Sequence, residues 1–282
     1  MTTINQSDFN MVLTIDGYNK RLRIDDVNGH LNHALSEVEV LAEKNQAEKV
    51  IIKAKREDFS NLLEKGFLCE AVIDRYFLGS DMYFFCKYYQ PERRNSTQWT
   101  TEDSIVEKVV QLQREVHIEQ PPEHYLLRKI TTDEVEQLAA LYKKVFQIYP
   151  TPLHDPQYIK KTLQEGTIYY GYFYDSEIVS AASAEVNGFY KNAELTDCAT
   201  LVEHRKHGLM KVLLQQLEAD LKQQGIYCAY SIARALSFGM NAALHQLGYN
   251  YRGRLANNCY IFDKLEDMNV WVKNLSQPSI ST

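Results

Sequence analysis

Apolar and polar residues alternate over residues 11–22 with a break at Asp16-Gly17, and apolar residues then recur at helical spacing at Leu31, Leu35, Val38 and Leu41. The pattern predicts a hairpin and then a helix over 31–44. Val50-Ile51-Ile52 centres a buried strand over 49–54, a short helix over 58–65 stops at Gly66, and strands follow over 67–73 and 81–89 around Gly79-Ser80-Asp81. Pro91, Arg93-Arg94 and a Ser-Thr-Gln run make residues 90–101 a connector, and 102–115 has helical periodicity. Pro121-Pro122 closes that helix and divides the chain into 1–120 and 121–276, with 277–282 as a tail.

The second part begins with a strand over 125–130, and Thr131-Thr132-Asp133-Glu134 offers a capping box for a helix through residue 146. Tyr149-Pro150-Thr151-Pro152 breaks it; Asp155 as cap and Pro156 at the first position start another helix, to 164. A hairpin pairs 167–174 with 178–186, and an apolar strand from Ala193 to Val202 runs into a basic turn and a helix carrying Leu213, Leu214, Leu217 and Leu221. A strand over 228–233, a helix over 237–247 capped by Gly248, and strands near 251–255 and 258–264 complete the chain. From residue 125 the order is β-α-α-β-β-β-α-β-α-β-β.

The basic turn, His204-Arg205-Lys206-His207-Gly208-Leu209-Met210, carries the clearest chemistry. The first turn of a helix has backbone N–H groups without intrahelical partners and sits at the positive end of the helix dipole, so it suits a pyrophosphate. Gly208 removes a Cβ from the approach, and Arg205, Lys206 and His207 add counter-charge. A strand, a polar turn and an amphipathic helix also occur together in any α/β protein.

Arg205-x-x-Gly208-x-Met210 resembles the acyl-CoA loop of the GNAT (GCN5-related) N-acetyltransferases, in which Gln or Arg, two residues, Gly, one residue, and Gly or Ala follow in order. Met210 departs at the last position. The element order from residue 125 and the exit Leu247-Gly248-Tyr249 fit the same family, although its usual helix-opening Asn and later Tyr fall at Ser237 and Leu244. The resemblance covers about half of the chain. It implies an α/β (α+β) fold with a mixed, mostly antiparallel sheet, and acetyl-CoA as co-substrate. Its pyrophosphate would rest on Arg205, Lys206, His207, Gly208, Leu209 and Met210, and its pantetheine on the backbone of Ala199, Thr200, Leu201 and Val202. Residues 62–67, Leu-Leu-Glu-Lys-Gly-Phe, parallel residues 244–249. The first part therefore reads as a degenerate GNAT-like half-domain without an Arg-x-x-Gly loop; a cap peculiar to this chain is the alternative.

Length and composition are ordinary for a soluble globular protein of one large domain or two smaller ones. The chain has 282 residues, 45% of them hydrophobic, and a net charge of −6, which excludes a general nucleic-acid footprint and favours a cationic small substrate. Five cysteines without a C-x-x-C pair point to reduced thiols in a cytoplasm, with no structural metal. No apolar run has membrane-spanning length, and residues 1–10 lack a signal-peptide core. The oligomeric state is left open, a homodimer included.

Acetyl transfer from a thioester to an amine requires an unprotonated amine, a stabilised oxyanion and a protonated leaving thiolate. An ammonium of pKa ~10.4 is free base in only about one part in 10³ near neutral pH, a cost of roughly 4 kcal/mol that a positioned carboxylate offsets. Glu194, eleven positions before Arg205, has the offset of the general-base Glu in family members that use one. Asp197 is the second candidate, as base or as the holder of a substrate ammonium; either carboxylate also reads as an ordinary solvated or paired group. With Leu244 at the usual Tyr, the acid would be Tyr249, Tyr251, Tyr260, His245 or water. Cys198 beside His204 and His207 invites a nucleophile reading, against a buried strand thiol that direct transfer leaves idle. The acceptor side would be built from residues 146–155, where Tyr149 would wall an aliphatic stem, and from the Asn192 flank.

Several runs resemble a narrower group. Leu195-Thr196-Asp197-Cys198-Ala199-Thr200, Ser237-Phe238-Gly239-Met240-Asn241, Asn257-Asn258-Cys259 and Glu266-Asp267-Met268-Asn269-Val270-Trp271 are similar to the bacterial and archaeal β-lysine N6-acetyltransferases. That resemblance implies transfer to the terminal amine of β-lysine, giving a compatible solute, with Asp197 on an ammonium and Asn257 or Asn258 on the carboxylate. The alternatives are another small amine, such as a polyamine or lysine, and a non-catalytic acyl-CoA sensor.

Overall fold

The alternation near the N-terminus becomes two antiparallel strands, β2 (Phe9–Asp16) and β3 (Arg21–Gly29), beside a short edge strand β1 (Thr2–Asn5) that sequence patterning does not predict. The computed structural model describes residues 2–115, 117–146, 151–261 and 264–276. Helix α1 (Leu31–Lys44) lays Ala34, Leu35, Val38 and Ala42 on this sheet, and β4 (Lys49–Ala54), α2 (Phe59–Glu64), β5 (Leu68–Phe77) and β6 (Ser80–Tyr88) follow. The connector holds one helical turn, α3 (Pro91–Arg94), and α4 (Trp99–Val110). Packing crosses the Pro121-Pro122 break: α4 lies on the helix Phe238–Gln246, and the Glu115 N–H donates to the Gln246 carbonyl at 2.9 Å.

The second part runs β7 (Leu126–Lys129), α5 (Val135–Val145), α6 (Pro156–Gln164), β8 (Ile168–Tyr174), β9 (Glu177–Asn187), β10 (Asn192–Thr200), α7 (Leu209–Gln223), β11 (Cys228–Arg234), α8 (Phe238–Gln246), β12 (Asn250–Ile261) and β13 (Lys264–Asn274). The expected caps form: Thr131 and Glu134 make the capping box, and Asp155 accepts from the Gln157 N–H at 2.9 Å. The end of the chain differs from expectation. The two short strands predicted near 251–255 and 258–264 are one strand, β12, whose register against β13 slips between Leu255 and Cys259, where Asn257 takes φ +42°. That bulge breaks the alternation that patterning reads, and the segment beyond it is a full strand, β13.

Among the described residues all strands join one thirteen-stranded sheet in the order β1-β2-β3-β4-β6-β5-β12-β13-β11-β10-β9-β8-β7. Its two halves share one scheme. β2–β3 pair antiparallel, β3–β4 parallel, β4–β6 and β6–β5 antiparallel; β9–β10, β10–β11, β11–β13 and β13–β12 repeat that sequence of senses. β5 and β12 meet antiparallel at the centre, Gly253 opposite Ala71, where a Cβ on Gly253 would lie 2.3 Å from the Glu70 carbonyl oxygen.

The sheet curls on itself. β3 and β10 lie seven steps apart in the strand order, roughly 34 Å in a flat sheet at about 4.8 Å per step. Yet the Tyr190 hydroxyl, in the β9–β10 turn, donates to Asp26 Oδ2 at 2.9 Å. Ile51, Ile73, Met82 and Phe84 share one buried cluster with Tyr230, Met268, Val270 and Val272, so a single core fills the concave face. Helices α7 and α8 cover the opposite face of the second half, and α5 with α6 covers the concave face beside β8 and β9. Among the described residues all five cysteines are free, and no helix is long and apolar enough to cross a membrane.

Candidate active site

The parallel pair β10–β11 holds only from Asn192↔Cys228 to Glu194↔Tyr230. Beyond it β10 stays with β9 and β11 with β13, so two neighbouring strands part and a main-chain edge opens between them. The register slip between Thr196 and Ala199, with Asp197 at φ +52°, bends β10 at the same point. A cleft of about 810 Å³ occupies the gap, bounded by Thr196, Cys198 and Thr200 on one side and Ser231, Ala233 and Arg234 on the other. Arg234 is fixed by two 2.6 Å bonds to the buried Glu266.

One end of the cleft is a cradle of amides. After β10 the chain makes a turn of 3₁₀ helix over Val202–His204, then Lys206 and Gly208 adopt φ +71° and +72° before α7 begins at Leu209. Closely spaced left-handed residues and a helix start without a side-chain cap are the backbone features of an anion site. Arg205, Lys206, Gly208, Leu209 and Met210 line the cleft. His207 does not; its ring packs on Tyr125 with centroids 5.5 Å apart. Ala199 and Leu201 point into the core under α5, and the Val202 side chain is exposed, which leaves the backbone as what this stretch offers to a ligand. The Arg205 Nε donates to the Thr200 carbonyl at 3.3 Å, tying the cradle to the open strand. A diphosphate at the cradle and an amide-bearing arm along the β10 edge fit these residues.

Thr196 and Asp197 border the cleft, and on the same strand, two residues before Thr196, Glu194 belongs to a group of charged side chains on the concave face. Glu194 lies opposite Glu185 on β9 and Tyr230 on β11. Burial, reinforced by the Glu185 charge, raises its pKa to about 7, while Lys53 and Arg23 hold it back. Burial also raises Glu185, opposed by Arg23 and Lys53. Glu185 is exposed and Glu194 half-buried, so the recess these groups border is open to water. Asp197 is buried and accepts from Ser183 Oγ at 2.8 Å. Its charge is felt by Tyr169 and by Tyr158, the latter pushed up to about 12 mainly by burial. Cys198 is pushed up to about 12 by burial and then by Asp197, and the His204 Nδ1 is engaged by the Tyr125 hydroxyl at 3.0 Å; the pair is not set up as a nucleophile.

Three expected site residues lie elsewhere. Tyr249 is fully buried on the α7 side, with the Lys273 ammonium 5.5 Å from its ring centre, and does not line the cleft. Asn257 and Asn258 are buried in the β12 bulge and do not line the cleft: the Asn257 N–H donates to Asp267 Oδ1 at 2.6 Å and its Nδ2 to the Glu92 carbonyl at 3.3 Å, and the Asn258 carbonyl accepts from Arg21 at 2.9 Å and Arg93 at 3.3 Å. Tyr149 and the tail lie outside the described residues. Sequence reading missed Glu185, Arg23 and Lys53, whose signal was a polar side chain at alternate positions of a strand and read as a solvated face.

Comparison with known proteins agrees with this geometry. The family model of the acetyltransferase (GNAT) domain matches residues 127–251. The chain is 40% identical over 275 residues to the N-acetyltransferase YodP of Bacillus subtilis (strain 168), covering 98% of this chain and 100% of that one. It is 32% identical over 270 residues to a β-lysine N(6)-acetyltransferase of Methanosarcina mazei, covering 89% of this chain and 100% of the relative. A protein of the same name from Methanococcus maripaludis is 31% identical over 262 residues, 93% of this chain and 95% of the relative. With the split strands, the amide cradle and a full-length relative at this identity, the chain belongs to the GNAT family and is an acetyl-CoA-dependent amine N-acetyltransferase.

Proposed function

We propose that the acceptor is the terminal (N6) amine of β-lysine and that acetyl passes to it directly, with both substrates bound together. The observation that carries this reading is the full-length similarity to two archaeal proteins named β-lysine N(6)-acetyltransferase, which spans the N-terminal half as well as the GNAT domain. Acetyl-CoA supplies the activated acetyl group; Arg205, Lys206 and the amides of residues 208–210 would hold its diphosphate. Glu194, with a pKa near 7, would take the proton from the attacking ammonium at neutral pH. Asp197 would set the amine's position, fixed itself by Ser183. The open β10 edge would face the thioester oxygen as charge develops on it. With Tyr249 in the core and Leu244 at 0% exposure, water would return the proton to the departing thiolate.

The N-terminal half we read as a degenerate copy of the fold's second half, supported by the repeated pairing scheme. Acetyl-CoA turnover over a panel of β-lysine, lysine and diamines tests the acceptor. The expected outcome is the highest kcat/KM on β-lysine with the product acetylated at N6; preference for a carboxylate-free diamine would remove β-lysine, and acetyl-CoA binding without any transfer would remove catalysis.

A further inference from the structure

The curl of the sheet brings a charged strand of the N-terminal half to the recess that holds Glu194. Tyr190 reaches Asp26 on β3, and the Asn192 Nδ2, two residues before Glu194, donates to the Tyr76 carbonyl of β5 at 2.9 Å. The Tyr76 ring lies 5.9 Å from that of Tyr230, the neighbour of Glu194, and its hydroxyl is 3.4 Å from the Lys53 ammonium. Asp25 sits between two cations, with Oδ1 2.8 Å from Lys53 Nζ and 3.0 Å from Arg23 Nε.

That arrangement leaves one cation in excess. Lys53 and Asp25 are well covered, whereas the Arg23 side chain is 39% exposed. Its Nε is committed to Asp25, and its two Nη groups make no hydrogen bond among the described residues, so the end of the guanidinium that recognises a carboxylate in bidentate fashion stays open. Burial disfavours the guanidinium charge, and Asp25 followed by Glu194 more than offsets it, which puts Arg23 within electrostatic reach of the expected base. Beside Asp197, which places the reacting amine, the recess therefore offers Glu185 and Glu194 to amines and one net positive charge to a carboxylate. A diamino monocarboxylic acid has the mirror-image set: two amines and one carboxylate. A plain diamine leaves Arg23 unmatched.

We propose that the N-terminal half completes the acceptor site, with Arg23 binding the acceptor's carboxylate and Asp25 and Lys53 positioning it, so that the enzyme selects a diamino acid over the corresponding diamine. This rests on the acceptor reading above. An ion pair that merely joins the two halves is the competing explanation, and it predicts loss of stability without a change in selectivity.

The test compares β-lysine with pentane-1,4-diamine, its carboxylate-free counterpart, at saturating acetyl-CoA. Wild type is expected to favour β-lysine by roughly 10- to 100-fold in kcat/KM, the worth of one charge-assisted pair. Both acceptors are compared at about pH 9, where Glu194 is ionised with or without the Arg23 charge; there R23Q brings that ratio close to one by raising KM for β-lysine and leaves KM for acetyl-CoA unchanged. R23K, which keeps the charge and loses the fork, falls between. Equal loss on both acceptors, or no loss on either, overturns the proposal. The wild-type ratio tests it without any variant: a wild type that acetylates both acceptors equally removes the carboxylate site and leaves amine acetylation standing, whereas one that acetylates neither removes the acceptor reading beneath it.

Discussion

The two halves of the sheet share a strand scheme and differ at one junction. In the second half the step from β10 into α7 takes the loop of residues 201–208, with two left-handed residues, and leaves the helix N-terminus facing a cleft. In the first half β3 passes into α1 through Gly29 and His30, and the His30 ring caps the helix by accepting from the His33 N–H at 3.4 Å. Lys55 closes the end of β3, donating to the Val27 carbonyl at 3.2 Å and to Asn28 at 2.8 Å. One helix start is satisfied by its own chain; the other is left for a ligand. The order of strand senses is repeated, and among the described residues the loop with two left-handed residues before the helix stands in the second half.

The comparison is broken most severely at Glu194. Glu194→Gln is expected to lower kcat by about 10²-fold or more near neutral pH while KM for acetyl-CoA stays put, the loss shrinking toward pH 10 as the amine loses its own proton. Because a base must be ionised to act, the wild-type rate should fall as pH drops through about 7. A profile shared by wild type and variant removes Glu194 from the mechanism. Next in size, replacing Arg205 and Lys206 together by Ala should raise KM for acetyl-CoA roughly 10-fold or more, with kcat at saturation nearly kept. His30→Ala at the matching junction should leave KM for acetyl-CoA untouched and cost only about 1 kcal/mol of stability, read from denaturant melts.

The smallest effect concerns stability. Glu194 has its folded pKa raised, so the folded protein holds a proton that the unfolded chain releases, and stability declines as pH rises from about 4.5 to about 7. Glu194→Gln removes this cost: a Tm gain of a few degrees is expected at pH 8 and none at pH 4. A gain of equal size at both pH values would trace the effect to packing instead.

Sequence legibility followed the range of the interactions. The cradle was readable because Arg205, Gly208 and the leucines of α7 lie within one local segment, and the capping box at Thr131 and the Asp155 cap are likewise local. Glu194 was singled out through the family resemblance, by its offset from that loop. The acceptor recess was not readable, because the curl that brings Arg23 and Lys53 to β10 is a property of the whole sheet, and on β3 alone Arg21, Arg23 and Asp25 look like a solvent face. Asn257 and Asn258 show the same limit: their burial in a bulge held by main-chain bonds to Asp267 and Arg21 depends on distant segments and is not visible locally.

The most direct test of a single acetyl-CoA site facing a composite acceptor recess is a crystal structure of the whole protein with CoA and β-lysine. The account predicts one CoA per chain with its diphosphate on residues 205–210, the β-lysine terminal amine beside Glu194, and the carboxylate on Arg23. A second CoA at the start of α1, or a β-lysine held only by residues of the second half, would contradict it.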